Sequence, residues 1–147
     1  MSKRILITGG FGNLGSWLSE HFYNQGYEVF ILAKKIRELK NVKYNVIHAD
    51  ITDYQELEEK LNFSFDYCIH TASYNEYFLE NYAKDALLIN SLGTRNLIEI
   101  LSTTKLKKFI YFSTFHIYGS GYEYITEENQ PNPNNDYATT HLFAEYY

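Results

Sequence analysis

Three glycines, Gly9, Gly12 and Gly15, follow directly on an apolar run that ends at Thr8. An amphipathic stretch with Leu14, Leu18 and Phe22 at helical spacing comes next. A strand, a glycine turn and a helix in that order can hold a dinucleotide pyrophosphate. Gly9 allows the tight turn, Gly12 lets the backbone approach phosphate with no Cβ in the way, and Gly15 lets helix and strand pack closely. The free N–H groups and positive dipole at the helix start then face the phosphates. No other set of chemistry-bearing residues is as well placed. No group of His, Asp and Glu has metal-ligand spacing. Cys68 is the single cysteine, which excludes an intrachain disulfide and a Cys-based metal site. Ser113, His116 and Asp136 have the residue types of a hydrolase triad, but no nucleophile elbow accompanies them.

A site of this kind needs a sheet edge and helix ends to position it, and the pattern alternates strand with helix. Strands are predicted over residues 5–7, 28–33, 43–48, 65–71 and 108–113. Helices are predicted over 12–24 and 54–61, the latter with Thr52 or Asp53 as N-cap. A long helix is predicted over 82–102, with Ala86, Ile89, Gly93, Leu97 and Ile100 on one face. The charged segment 34–40 reads as a short helix or loop, and 119–135 as a polar loop. Asp136 is predicted to cap a last helix that starts at Tyr137 and runs to Tyr147. Strands alternating with helices imply right-handed crossovers and a parallel sheet. With a nucleotide site after the first strand, the expected fold is α/β, a Rossmann-like doubly wound sheet of order 3-2-1-4-5.

Composition narrows the function classes. The 147 residues suit one domain, 1–147, and the 45% apolar content is ordinary for a globular protein. The 15 Tyr suggest tyrosines at surfaces or interfaces. A formal charge of -5 argues against a nucleic-acid partner, and the basic residues cluster only at Lys34, Lys35, Arg37 and Lys40. No apolar run is long enough for a signal peptide core or a membrane span, so a cytoplasmic protein is expected.

Six segments, in order and spanning essentially the whole chain, resemble the N-terminal half of the extended short-chain dehydrogenase/reductases, the family of nucleoside-diphosphate-sugar epimerases, dehydratases and reductases. Thr8-Gly-Gly-Phe-Gly-Asn-Leu-Gly15 resembles the family's TGxxGxxG. His48-Ala-Asp50-Ile51 resembles the segment whose Asp binds the adenine amino group. His70-Thr-Ala-Ser73 resembles HxAA, which lines the cofactor. Asn90-Ser-Leu-Gly-Thr-Arg-Asn96 resembles NxxGTxN, whose first Asn supports the active site. Phe112-Ser-Thr-Phe-His-Ile-Tyr-Gly119 resembles SSxxVYG, and Tyr137-Ala-Thr-Thr-His141 falls where the family has YxxxK. The resemblance implies cofactor contacts at Thr8, Gly9, Gly12, Asn13, Leu14, Gly15, Lys34, Asp50, Ile51, Thr71, Ala72, Ser73 and Asn90. It implies catalytic roles for Thr114, Tyr137 and His141, a nucleoside-diphosphate sugar as substrate, and a homodimer through the long and last helices.

Three departures bear on function. His141 stands where the family has Lys. Bringing a tyrosine from about 10 to neutral pH takes roughly 4 kcal/mol of differential stabilisation, much of which the family draws from that ammonium. A neutral imidazole brings one hydrogen bond and no charge. Tyr137 is therefore expected to be a poor base unless the positive charge of oxidised nicotinamide suffices. The second departure is Ala33, where NAD-preferring members carry an acid; with Lys34 and Lys35 next to it, the pattern points to NADP, with NAD as the alternative. The third is length. The family's substrate lobe and last strands lie beyond the YxxxK helix and are expected to be missing, leaving residues 109–112 as an uncovered edge strand prone to association.

The dehydratases place Asp-Glu directly after the catalytic Thr, where this chain has Phe115-His116. That argues for epimerase or reductase chemistry over dehydration, with His116 as an alternative acid/base. A non-catalytic dinucleotide-binding module or inactive fragment is the rival reading. Trp17, just after the glycine turn, is expected to report cofactor occupancy by its fluorescence.

Overall fold

A computed structural model describes residues 2–35, 42–74 and 82–147. Arg37, Lys40 and most of the expected 34–40 element lie outside the described residues. Five parallel strands form one sheet: β1 (Arg4–Thr8), β2 (Glu28–Ala33), β3 (Asn45–His48), β4 (Tyr67–His70) and β5 (Lys108–Tyr111), in the order β3-β2-β1-β4-β5. This is the doubly wound, Rossmann-like order expected from the glycine turn. β3, β4 and β5 are shorter than their apolar patterns suggested.

The side-chain period of two sorts the core into two layers. Leu6 of β1 stands level with Phe30 of β2 and Cys68 of β4, and all three point to one face. There they meet Leu57 and Leu61 from α2 (Tyr54–Lys60) and its C-cap, and Leu97 and Leu101 from α4 (Thr94–Ser102). Ile5, Ile7, Val29, Ile31 and Ile69 point to the other face, against Phe11 and against Leu18 and Phe22 of α1 (Asn13–Asn24). Strands apolar on both faces are what a parallel sheet covered on both sides requires.

The long helix is not regular. α3 (Tyr82–Ala86) runs through a π-helical turn, Leu87–Gly93, into α4. Of the face expected inside, Ala86, Gly93, Leu97 and Ile100 are buried and Ile89 is partly so. The wide turn lets Asn90 and Ser91 both reach Thr140 of α5 (Asp136–Glu145), at 3.1 and 2.9 Å, while Gly93 lies against Ile51. A Cβ on Gly93 would stand 2.7 Å from an Ile51 carbon. Turns of this kind concentrate at functional sites.

Two caps differ in outcome. Asp53 caps α2 as expected, accepting the Glu56 N–H at 3.0 Å. For α5 the cap is Asn135, not Asp136: its backbone is extended and its Oδ1 accepts the Ala138 N–H at 2.8 Å. Asp136 instead supplies a negative charge to the first turn, and the helix ends at Glu145. Replacing Asn135 by Ala is expected to lower stability by ~1 kcal/mol, read as a shift in the urea midpoint at constant slope.

Candidate functional site

A cleft of about 290 Å³ opens at the carboxyl ends of the strands, at the β1/β4 position where the winding reverses. Its floor is the glycine turn. Gly9 has φ +67°, which glycine alone adopts freely, and the Gly12 N–H closes the turn by donating to the Gly9 carbonyl at 2.8 Å. Gly12 is the N-cap of α1, with no side-chain cap and no acidic residue in the first turn. The first N–H groups of the helix therefore remain available to an anion. Gly15 is where helix and turn touch: a Cβ there would stand 2.2 Å from the Gly9 carbonyl oxygen.

The walls come from strand ends distant in sequence. Leu32, Ala33 and Lys34 form one side, Ala49, Asp50 and Ile51 the far end, Thr71, Ala72 and Ser73 the other side, and Ile89 of the π turn closes it. Eight of the residues singled out as cofactor contacts thus line the cleft: Gly9, Gly12, Lys34, Asp50, Ile51, Thr71, Ala72 and Ser73. Asn13, Leu14 and Gly15 belong to the first turn of α1, and Leu14 is exposed. Thr8 and Asn90 are buried behind the wall. The apolar lining from Leu32 and Ala49 was not among the residues singled out as cofactor contacts; its signal was the apolar residues at the ends of β2 and β3, and Ile89 comes from the inner face of the long helix.

Thr8 and Asn90 act through a buried network whose directions are determined. The Thr94 hydroxyl has one proton and donates it to the Asn90 carbonyl at 2.5 Å. Its oxygen therefore accepts from His70 Nε2 at 2.9 Å. His70 Nδ1 is then the acceptor for the Thr8 hydroxyl at 2.5 Å, and the Thr8 oxygen accepts the Ala72 N–H at 3.2 Å. Burial, with His141 adding repulsion, pushes the His70 pKa down to about 3, so the ring stays neutral. Asn90 fixes the next stretch of wall: its Oδ1 accepts the Tyr74 N–H at 2.7 Å and its Nδ2 donates to the Tyr74 carbonyl at 3.1 Å.

At the far end, the Lys34 ammonium lies 2.5 Å from the Asp50 carboxylate. Thr52 donates to the same carboxylate from its N–H and its hydroxyl, at 3.0 and 2.9 Å. Partial burial opposes ionisation of Asp50, but the Lys34 and Thr52 donors outweigh it and hold its pKa below the usual range.

A second group adjoins the cleft through Ser73. His141 is buried, with Nε2 3.0 Å from Ser73 Oγ and Nδ1 2.5 Å from the Tyr111 hydroxyl. Its ring centre is 4.5 Å from that of Tyr137, which in turn lies 6.0 Å from His116. Burial, assisted by His116, pushes the His141 pKa down to about 4. The imidazole is thus neutral at pH 7, as expected from its type. Thr114 caps the short turn Phe115–Tyr118, its hydroxyl oxygen accepting the His116 N–H at 3.3 Å.

The Ser113 hydroxyl donates to the Glu145 carboxylate of α5. His116 packs on Phe115, with ring centres 4.2 Å apart, and no hydrogen bond joins it to Ser113 or Asp136 among the described residues. Trp17 is 76% exposed and does not line the cleft, because the helix turns that face to solvent.

The family model for the NAD dependent epimerase/dehydratase family matches residues 5–147. The chain belongs to this family. Among its relatives, dTDP-D-glucose 4,6-dehydratase of Dictyostelium discoideum is 33% identical over 90% of this chain and 33% of its own length. The Bordetella bronchiseptica enzyme WbmG, solved with NAD and UDP, superimposes with a TM-score of 0.87 at 29% identity, over 99% of this chain and 49% of its own. The UDP-Glc/GlcNAc 4-epimerase of Campylobacter jejuni gives 0.86 at 27% identity, over 99% and 47%. The chain spans about half the length, or less, of these epimerase/dehydratase relatives. No described helix is long and apolar enough to cross a membrane.

Proposed function

We propose that residues 1–147 form the dinucleotide-binding domain of an NAD(P)-dependent epimerase or reductase of nucleoside-diphosphate sugars. The observation that carries this reading is the cleft itself. Its floor is a Cβ-free turn at an uncapped helix start, its length is apolar, and its far end is a hydrogen-bonding carboxylate. A pyrophosphate fits the first, an adenosine the other two. The α1 N–H groups would hold the phosphates and Asp50 the adenine amino group. Nicotinamide, when bound, supplies the hydride chemistry.

The chain's own residues then handle protons and position. Thr114, whose oxygen already accepts an N–H, is left with its hydroxyl proton to donate to the reacting sugar oxygen. Tyr137, half-buried between His116 and His141, would move the proton at that oxygen. The Phe115-His116 pair offers no carboxylic acid for a leaving hydroxyl, which supports epimerase or reductase chemistry over dehydration. The neutral His141 favours a second reading, a module that binds dinucleotide without turning it over, because the imidazole that stands in the place of the family's lysine brings no charge to Tyr137. A homodimer through the long helix and α5 is part of the proposal.

Calorimetric titration of the folded chain with NADH and NADPH tests the binding. Saturable one-to-one binding supports it, and no binding of either by a chain that is folded by circular dichroism overturns it. Turnover of UDP-sugars by the NAD(P)-loaded domain, measured with a substrate lobe present, separates the two readings. Cofactor choice rests on Lys34. Its Lys34→Ala variant is expected to weaken NADPH binding about tenfold and NADH binding by less than about threefold, because only the former has a 2′-phosphate for the ammonium. Equal losses for both would assign Lys34 to holding Asp50 instead.

A further inference from the structure

Ser73, His141 and Tyr111 form a line of hydrogen-bonding side chains from the cleft wall into the interior between β5 and α5. Ser73 and Tyr111 come from opposite sides of the imidazole, 68 and 30 residues away in sequence. We propose that Tyr111 is a positioning residue that fixes His141 as its Nε2–H tautomer, so that Ser73 presents its hydroxyl proton to an acceptor oxygen of a nucleotide bound in the cleft. The ligand half of this rests on the dinucleotide reading above.

The directions follow from donor and acceptor chemistry. A phenol is a strong donor and a weak acceptor, since its oxygen lone pair is delocalised into the ring. An imidazole nitrogen is a strong acceptor. At 2.5 Å the favourable arrangement is therefore Tyr111 O–H donating to His141 Nδ1. Among the described residues, the Tyr111 oxygen has no other hydrogen-bond partner to compete for that proton. Burial, with the charge of Glu145 next, pushes the Tyr111 pKa up and keeps the phenol protonated. A neutral imidazole with Nδ1 as acceptor carries its proton on Nε2. Nε2–H then donates to Ser73 Oγ at 3.0 Å. The serine oxygen is an acceptor in that bond, so its own proton is released toward the cleft that Ser73 lines. The two bonds point the same way and polarise one another, and a bond from Ser73 to a bound acceptor would continue the line. A lysine in place of His141 is a donor only. The relay gives the cleft a donor at this point without burying a cation.

The tautomer is read directly by long-range proton–nitrogen correlation NMR of the histidine rings in the unliganded chain. The expected pattern for His141 is Nδ1 unprotonated and Nε2 protonated. In Tyr111→Phe, folded by its amide spectrum, His141 is expected to lose that single tautomer. NADH affinity is expected to fall about fivefold, the loss of one hydrogen bond. Ser73→Ala is expected to show the same loss, the double variant no more than either single one, and Ser73→Thr to restore binding. A purely structural tyrosine would lower stability and leave the tautomer unchanged. An Nδ1–H tautomer in the unsubstituted chain, or one unmoved in Tyr111→Phe, overturns the role of Tyr111. If the unsubstituted chain binds no NADH while His141 is Nε2–H, the dinucleotide reading and the ligand half fall, and the Tyr111–His141 assignment stands.

Discussion

Gly15→Ala is expected to destabilise the fold by about 3 kcal/mol or more and to eliminate measurable dinucleotide binding. Two effects oppose each other at this position. Alanine is a better helix former than glycine by ~1 kcal/mol, and position 15 is helical, so propensity alone predicts a gain. The added Cβ, however, would stand 2.2 Å from the Gly9 carbonyl oxygen and 2.8 Å from the Gly10 Cα. Both are backbone atoms of the turn, and neither can rotate aside. The helix must therefore move off the strand or the turn must open, and either displaces the N–H groups that would meet the phosphates. The steric effect wins because it acts on rigid backbone, whereas propensity is a modest conformational preference. Gly26→Ala provides the contrast. Gly26 has φ +82° with nothing within 4 Å of its Cβ position, so its cost is the left-handed conformation alone, about 1 kcal/mol. Urea unfolding and NADH calorimetry on both variants check the argument. Equal, small effects would show that the turn gives way without strain.

Acid is expected to unfold this protein from a pH at which its carboxylates are still ionised. His70 and His141 are both buried and neutral, with pKa values pushed down to about 3 and about 4, against about 6.5 for histidine in an unfolded chain. Burial is the main cause in each. The folded values lie below the unfolded ones, so between pH 6.5 and 4 the unfolded chain binds more protons. Stability is fully present above 6.5 and falls as pH drops through that window. The gap for His141 corresponds to roughly 3 kcal/mol, and that for His70 is at least as large. Together they rival the 5–15 kcal/mol on which a typical domain rests. Asp50, Glu56 and Asp66 are held below the usual carboxylate range, so their contribution is lost only below about pH 4. The expected result is an unfolding free energy, from urea titrations, that falls steeply from pH 6.5 to 5, by up to about 1.4 kcal/mol per pH unit for each imidazole. His141→Gln should remove about half of that slope. A flat profile down to pH 5 would mean that both rings are solvated or already charged.

The order of elements and the glycine turn were legible in the residues because both are local. Residues 5–7 read as a strand from their apolar run, and the period of two then puts Leu6 and Ile7 in the opposite layers that the structure shows. Gly9, Gly12 and Gly15 announce a turn that excludes Cβ atoms, and a strand with a nucleotide turn after it implies the winding order. Composition and pattern were less informative where several residues could do the same work. Asn135 and Asp136 are both good caps, and backbone geometry chose the first. The central helix reads as one regular amphipathic face, yet its contacts with Thr140 and Ile51 come with a π turn that no period reports.

The site's chemistry was decided by tertiary structure. Lys34 and Asp50 end up as an ion pair because β2 and β3 are neighbours in parallel register, with Ala33 level with His48. Tyr111 meets His141 because α5 packs beside the end of β5, and Ser73 reaches the same ring from the end of β4. A histidine in isolation carries no indication of which nitrogen holds its proton. That is set by the partners on either side, and here those partners are brought together only when the sheet is assembled.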